Sequence, residues 1–184
     1  MTYFREIYNP RSVPERLVIV VLAIISIWGC GPDNRYCHDG HCACGDQDLC
    51  DVDCGETKGC TIDCGSVVQC NGVCNHDCSI DCADMTECNA DCLDNCWVDC
   101  SRTSSCEAVC DKGCDIICSN TSSCVGTVGD GSRVRCEQFG SCNITCKGSC
   151  TVICPQGGCG VTCETGSYQQ CSNNTVVCGG APCE

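Results

Sequence analysis

From Cys70 to Cys154 the cysteines fall on a fixed beat: the gaps between them run 4, 4, 4 and 6 residues and then repeat. The series is Cys70, Cys74, Cys78, Cys82, then Cys88, Cys92, Cys96, Cys100, then Cys106, Cys110, Cys114, Cys118, which makes the unit 18 residues long. A fourth unit keeps the phase while Val128 and Ser132 stand in two of its cysteine places, and a fifth resumes at Cys142, Cys146, Cys150 and Cys154. A constant period of this length marks a repeat architecture, in which each unit stacks only on its neighbours.

Within a unit, let the first cysteine be position 1, so that the others are 5, 9 and 13. Between positions 9 and 13 stand SID, WVD, DII, RVR and TVI, whose middle residues are Ile80, Val98, Ile116, Val134 and Val152. Cysteine, aliphatic, cysteine in alternation is a period of two, and it predicts a strand that turns those residues inward. Between positions 1 and 5 the middle residues are Gly72, Ala90, Ala108, Gly126 and Ile144. This second strand is small inside for most of its length. Small facing large suits two sheets held closer than the usual ~10 Å, near enough for disulfides, whose Cα atoms sit about 5.5–6 Å apart.

Positions 6 to 8 read NHD, LDN, DKG, GDG and KGS, which are turn formers, and a five-residue link follows position 13 in four of the five units. Strands of five, a turn of three and a link of five account for the unit. The expected fold is all-β: a flattened, two-sheeted parallel β-solenoid, with about seven disulfide-bridged coils over residues 50 to 183 and like strands stacked about 4.8 Å apart.

The joint loss of cysteine at Val128 and Ser132 suggests that positions 5 and 9 bond to each other, since losing one partner alone would leave a stray thiol. The expected pairs are Cys74–Cys78, Cys92–Cys96, Cys110–Cys114 and Cys146–Cys150. Positions 1 and 13 pair either within a coil (Cys88–Cys100) or across the link (Cys100–Cys106), and sequence alone leaves both open.

The expected organisation is a signal segment over 1–29, a cysteine-rich lead-in or cap over 30–49, and the repeat domain over 50–183. The lead-in gathers Cys37, His38, His41, Cys42 and Cys44 within eight residues. Sulfur and imidazole ligands at such spacing raise a zinc-type cluster. The competing and favoured expectation is a disulfide knot that caps the stack, because terminal repeats need atypical caps and cysteine at this density persists as disulfide only in an oxidising compartment. His76 stands alone in a turn.

The N-terminus supports export. Arg5, Arg11 and Arg16 precede the apolar run Leu17 to Trp28, which at 12 residues is too short to span a bilayer and suits a signal h-region. The run ends in Ser26-Ile27-Trp28-Gly29-Cys30. This resembles the lipobox of bacterial lipoproteins, with Trp28 standing where that family carries a small residue. The resemblance implies lipidation of Cys30 and anchorage to the envelope membrane. The alternative is an ordinary secretory signal. Parity agrees with a lipid on Cys30: of 31 cysteines, an even number then remains for disulfides.

The repeats resemble, in architecture, the disulfide-bridged β-solenoids of beetle antifreeze proteins. Ice binding in that family rests on paired Thr-x-Thr columns. The outward residues beside Ile80 and its equivalents are Ser79/Asp81, Trp97/Asp99, Asp115/Ile117, Arg133/Arg135 and Thr151/Ile153, which form no such ladder, so ice remains only a further alternative ligand.

A formal net charge of −14 argues against nucleic acid, whose phosphates need basic residues. No G-x-S-x-G elbow and no phosphate-binding glycine loop occurs, and a thin solenoid offers no cleft in which titratable groups converge. The expected protein is not an enzyme and carries no cofactor. The charge is uneven, however: residues 31–115 hold 18 acidic and 4 basic side chains, while residues 116–184 hold 4 and 3. Asp63, Asp81 and Asp99 recur at equivalent outward places and should stack as a ladder. Like charges that close are unfavourable, which leaves either a solvated face or weak binding of a divalent cation, with calcium preferred by carboxylate oxygens. Two function classes follow: a surface-anchored structural or binding protein whose strand faces meet another macromolecule, and a ligand-binding module for cations.

Overall fold

The computed structural model describes residues 37–45 and 48–183. The signal segment and Cys30 lie outside the described residues. All regular structure within them is β, arranged as two sheets wound into one solenoid.

The seven-stranded sheet contains β3 (Leu49–Asp53), β5 (Gln69–His76), β7 (Glu87–Asp94), β9 (Ser105–Lys112), β11 (Ser123–Asp130), β13 (Ser141–Cys146) and β15 (Gly160–Cys163), stacked in that order. The ten-stranded sheet begins with β1 (Cys37–His38), β2 (His41–Ala43), β4 (Thr61–Asp63), β6 (Ser79–Asp81) and β8 (Trp97–Asp99). It continues through β10 (Asp115–Ser119), β12 (Ser132–Glu137), β14 (Cys150–Ile153), β17 (Thr175–Cys178) and β16 (Tyr168–Gln170). Between β2 and β14 neighbouring strands of this sheet pair in parallel, as do all those of the seven-stranded sheet, and the register is the one that an 18-residue period requires: Cys70 opposes Cys88, Cys88 opposes Cys106, and Ile80 opposes Val98. The ends differ. β1 pairs antiparallel with β2, and β16–β17 is an antiparallel hairpin laid on β14. The ten-stranded sheet thus starts inside the segment 30–49, because β2 already pairs in parallel with β4.

Strand lengths are unequal, whereas the sequence suggested equal ones. The seven-stranded sheet has eight-residue strands in its middle, and the matching strands of the other sheet run three to six residues. The cause is that the residues after position 5 keep the ladder: His76 opposes Asp94, and Asp94 opposes Lys112. The chain reverses at position 8, where Asp77, Asn95, Gly113 and Gly131 all have positive φ, of 56°, 54°, 65° and 72°. Asp, Asn and Gly tolerate that left-handed region best, which accounts for their choice there.

The interior is a column of β-branched side chains faced by small ones. Ile62, Ile80, Val98, Ile116, Val134 and Val152 are fully buried, and Ala90 and Ala108 are buried on the strands across from them. The fit is close: a methyl added at Gly72 would stand 3.2 Å from Cδ1 of both Ile62 and Ile80. A third inward column comes from the links. Val67, Met85, Thr103 and Thr121 are buried and Phe139 packs against the same core. The two threonines satisfy their hydroxyls by donating to the Cys82 and Cys100 carbonyls at 2.9 and 2.7 Å, so neither leaves a costly unpaired polar group.

A methyl at Gly126 would approach Ile144 Cδ1 to 2.9 Å. Because the obstacle is the end of a side chain that can shift, Gly126→Ala should cost only about 1 kcal/mol, at the low end of overpacking, and Gly126→Val about 2–3 kcal/mol. Chemical denaturation of the oxidised chain checks both. Equal costs would show that Ile144 does not yield.

Fourteen disulfides join the described residues. Positions 13 and 1 bond across the link, as in Cys64–Cys70, Cys82–Cys88, Cys100–Cys106, Cys118–Cys124 and Cys136–Cys142. Positions 5 and 9 bond across the turn in Cys74–Cys78, Cys110–Cys114 and Cys146–Cys150. The coils are thereby clasped at the link edge throughout and at the turn edge in three of the five regular units, outside the aliphatic column.

Candidate functional site

Each metal or thiol cluster expected from the sequence has a definite place. In the lead-in Cys37 bonds Cys42, and Cys44 bonds Cys50. No thiolate is left among Cys37, Cys42 and Cys44 to ligate zinc, which corrects the cluster reading. His38 is an exposed residue whose Nδ1 lies 2.9 Å from an Asp39 carboxylate oxygen.

Asp63, Asp81 and Asp99 do form one column, since β4, β6 and β8 pair in register at these residues. Each carboxylate also has a local task. Its Oδ1 accepts the backbone N–H two residues on, from Gly65 at 2.9 Å, Ala83 at 3.1 Å and Ser101 at 2.9 Å. Aspartate at this place initiates the link turn. The column also has a cation in the next turn. Arg102 donates from Nε and Nη2 to the two oxygens of Asp84, and its charge is further felt by Asp99 and Asp81. The guanidinium holds the Asp84 carboxyl below its ordinary value, chiefly through the hydrogen bond. A folded-state value lowered in this way stabilises above the unfolded carboxylate pKa and is lost as pH falls through the lowered one. The pair is exposed, so it contributes little.

The outward face of the seven-stranded sheet holds what the sequence reading missed. Ser105, Ser123 and Ser141 stack in register, as do Thr127, Thr145 and Thr162, and Val125 and Asn143 stand between the two columns. Val125 is 43 % exposed, and the Ser141 and Ser123 hydroxyls lie 3.4 Å apart. Nearer the N-terminus the same face turns amide and acidic: Asn89 Nδ2 donates to Asn71 Oδ1 at 2.8 Å, and Asn71 donates to Asp51. The signal was available at positions 18, 2 and 4 of the repeat, on the strand opposite the one that carries Ser79/Asp81 and their equivalents. Both faces rest on backbone that pairs with its strand neighbours and is clasped across the links.

A cavity of about 250 Å³ lies near the C-terminal hairpin, with Ser132, Arg133, Ser149 and Thr151 in its wall. Its lining holds neither a carboxylate nor an imidazole to act as a base.

Cys92 and Cys96, expected to be bonded, are instead free thiols, both buried. They share a hydrogen bond that, together with burial and the charge of Asp91, pushes the Cys92 thiol up. The same bond pulls Cys96 down, with help from the Cys78 backbone and against the effect of burial. In register they sit between two completed clasps, Cys74 and Cys110 being the strand neighbours of Cys92. In the coil of Val128 and Ser132 the place is filled otherwise: Val128 is fully buried, and Ser132 Oγ accepts the Cys114 N–H at 3.2 Å.

The arrangement defines a class, the cysteine-rich β-solenoid with disulfide-clasped coils. No family model matches the chain, and neither the curated proteins nor the solved structures give a match.

Proposed function

We propose that this chain is a non-catalytic, exported protein of the bacterial cell envelope, lipid-anchored through Cys30, which presents a strand face to another macromolecule. The observation that carries the reading is the pair of flat faces with side chains in register, fixed by disulfides that only an oxidising compartment sustains. Rigid faces avoid the ordering cost that a flexible surface meets on binding. Of the two, the Ser/Thr/Val face between β9 and β15 is the better contact. Beyond β9 it lies in the half of the chain that is nearly neutral, whereas the acidic half suits solvation and repels an anionic membrane surface.

Two measurements test this. Processing of the precursor should be sensitive to globomycin and should incorporate labelled fatty acid at Cys30; unlabelled, insensitive processing would leave a secreted protein. Envelope fragments lacking the protein should retain the exported domain, and Val125→Glu with Thr127→Glu should abolish retention while leaving the fold intact. Unchanged retention would remove this face from the proposal.

A second reading, weak calcium binding by the Asp63–Asp81–Asp99 column, rests on the parallel register that stacks the three carboxylates. The turn bonds use one oxygen of each. Screening by salt is gradual and indifferent to the ion, whereas a site saturates and prefers calcium, with its flexible coordination, to magnesium. Millimolar calcium should therefore slow reductive unfolding of the acidic half more than sodium chloride of equal ionic strength, and Asp81→Asn should abolish the difference. Identical protection by the two salts leaves the column with its turn-forming task alone.

A further inference from the structure

The clasp at positions 5 and 9 is interrupted in two coils, and the interruptions differ in kind. Val128 and Ser132 cannot bond. Cys92 and Cys96 can: both sulfurs are present, buried and in hydrogen-bond contact, with Cys96 Sγ also 3.5 Å from the Asp94 carbonyl. The backbone around them already has the shape a bond requires. The coils before and after, paired to this one residue by residue, carry Cys74–Cys78 and Cys110–Cys114 with Cα separations of 6.2 and 6.3 Å. Both flanking links are closed as well, by Cys82–Cys88 and Cys100–Cys106.

We propose that Cys92 and Cys96 are a closable dithiol, which a small disulfide oxidant such as oxidised glutathione joins as a further clasp and a thiol reductant reopens. Cys96 is the attacking sulfur, because the hydrogen bond from Cys92 favours its thiolate and the thiolate is the nucleophile. It displaces one thiol from the oxidant and forms a mixed disulfide. Cys92 then gives up its proton and attacks the Cys96 sulfur, and the second thiol leaves. Two protein thiols are oxidised, one disulfide molecule is reduced to two thiols, and the protons leave on those thiols. Reagent arrives through the turn between the two cysteines, where Leu93 is 39 % exposed and Asn95 is exposed. Until the bond closes, this is the turn, among the regular units with cysteine at both places, that lacks its covalent clasp and is held by packing and by hydrogen bonds such as that from the Asn95 N–H to the Lys112 carbonyl, so its local opening answers to the redox poise outside.

The test uses the exported chain, incubated with reduced or oxidised glutathione, quenched in acid, unfolded in iodoacetamide and mapped by mass spectrometry. After reduced glutathione, alkyl groups are expected on Cys92 and Cys96. After oxidised glutathione a Cys92–Cys96 bond is expected, two hydrogens lighter than the dithiol, with the other bridges unchanged and amide exchange at Asp94 and Asn95 slowed. Cys92→Val with Cys96→Ser, which copies the natural Val128 and Ser132, should keep the fold and lose both the alkyl groups and the exchange response. The proposal is overturned by alkylation of both residues after oxidation, by a stable glutathione adduct on either, by a bond from either to a third cysteine, or by a Cys92–Cys96 bond that opens only when Cys74–Cys78 does.

Discussion

Ile116→Asp is expected to unfold the middle of the solenoid, while Asp115→Ser beside it leaves protease resistance unchanged. Ile116 is 1 % exposed and stacks between Val98 and Val134, whereas the Asp115 side chain points outward and is exposed. The substitution removes apolar packing and places a carboxylate where nothing can pair with it. Losing the packing alone costs about 2–5 kcal/mol, and the unpaired charge adds to this, so a total above about 4 kcal/mol is expected, in the range reserved for such mechanisms. Pulsed proteolysis of the two variants at matched disulfide content measures the contrast. Equal loss of resistance would mean that the inward and outward faces are assigned the wrong way round.

Replacing Cys100 and Cys106 together by serine should cost about 2 kcal/mol, the amount expected for a bridge that closes so short a loop. The bridge spans six residues and both sulfurs are buried. Cys92→Val with Cys96→Ser removes no bond from the chain in which these two are thiols and the other bridges are intact, and should cost well under half as much against that reference. Urea unfolding of the two double variants separates them. A link variant no weaker than the turn variant would show that stacking alone, without the link bridges, aligns the coils.

The period was legible because the physics that sets it is local. Cysteine, aliphatic, cysteine is a strand with one face inward, and that face could be assigned from Ile80, Val98, Ile116, Val134 and Val152 without knowing the partner strand. The join across the link could not. Cys100 can pair with Cys88 or with Cys106 until the turn geometry is known, and that geometry depends on Met85 and Thr103 folding inward from a stretch that reads as an ordinary polar turn. The C-terminal hairpin was hidden for the opposite reason. Cys159, Cys163, Cys171, Cys178 and Cys183 follow no beat, so nothing in their spacing announces that β17 runs antiparallel to β14. Val128 and Ser132 mark which sulfurs face each other but not whether they have reacted, so the free state of Cys92 and Cys96 is not legible in the sequence. Of the candidate faces, the aspartate column was visible and the Ser/Thr columns were not, since Ser105, Val125 and Thr145 share no chemical type that marks them as one surface until the strands are stacked.

The reach of the bridges bears on how such a chain is made. Twelve of the fourteen join cysteines four to six residues apart; the other two, Cys163–Cys178 and Cys171–Cys183, span 15 and 12 residues and lie at the C-terminal end. A cysteine that emerges as the chain is made therefore meets its correct partner before most wrong ones exist. Pairing thirty-odd thiols by random search would be hopeless, but here each coil oxidises against a short loop of small closure entropy and then templates the next strand. Assembly can run from the N-terminus in the order of synthesis, and the two wide bridges seal the hairpin only after every coil beneath it is in place.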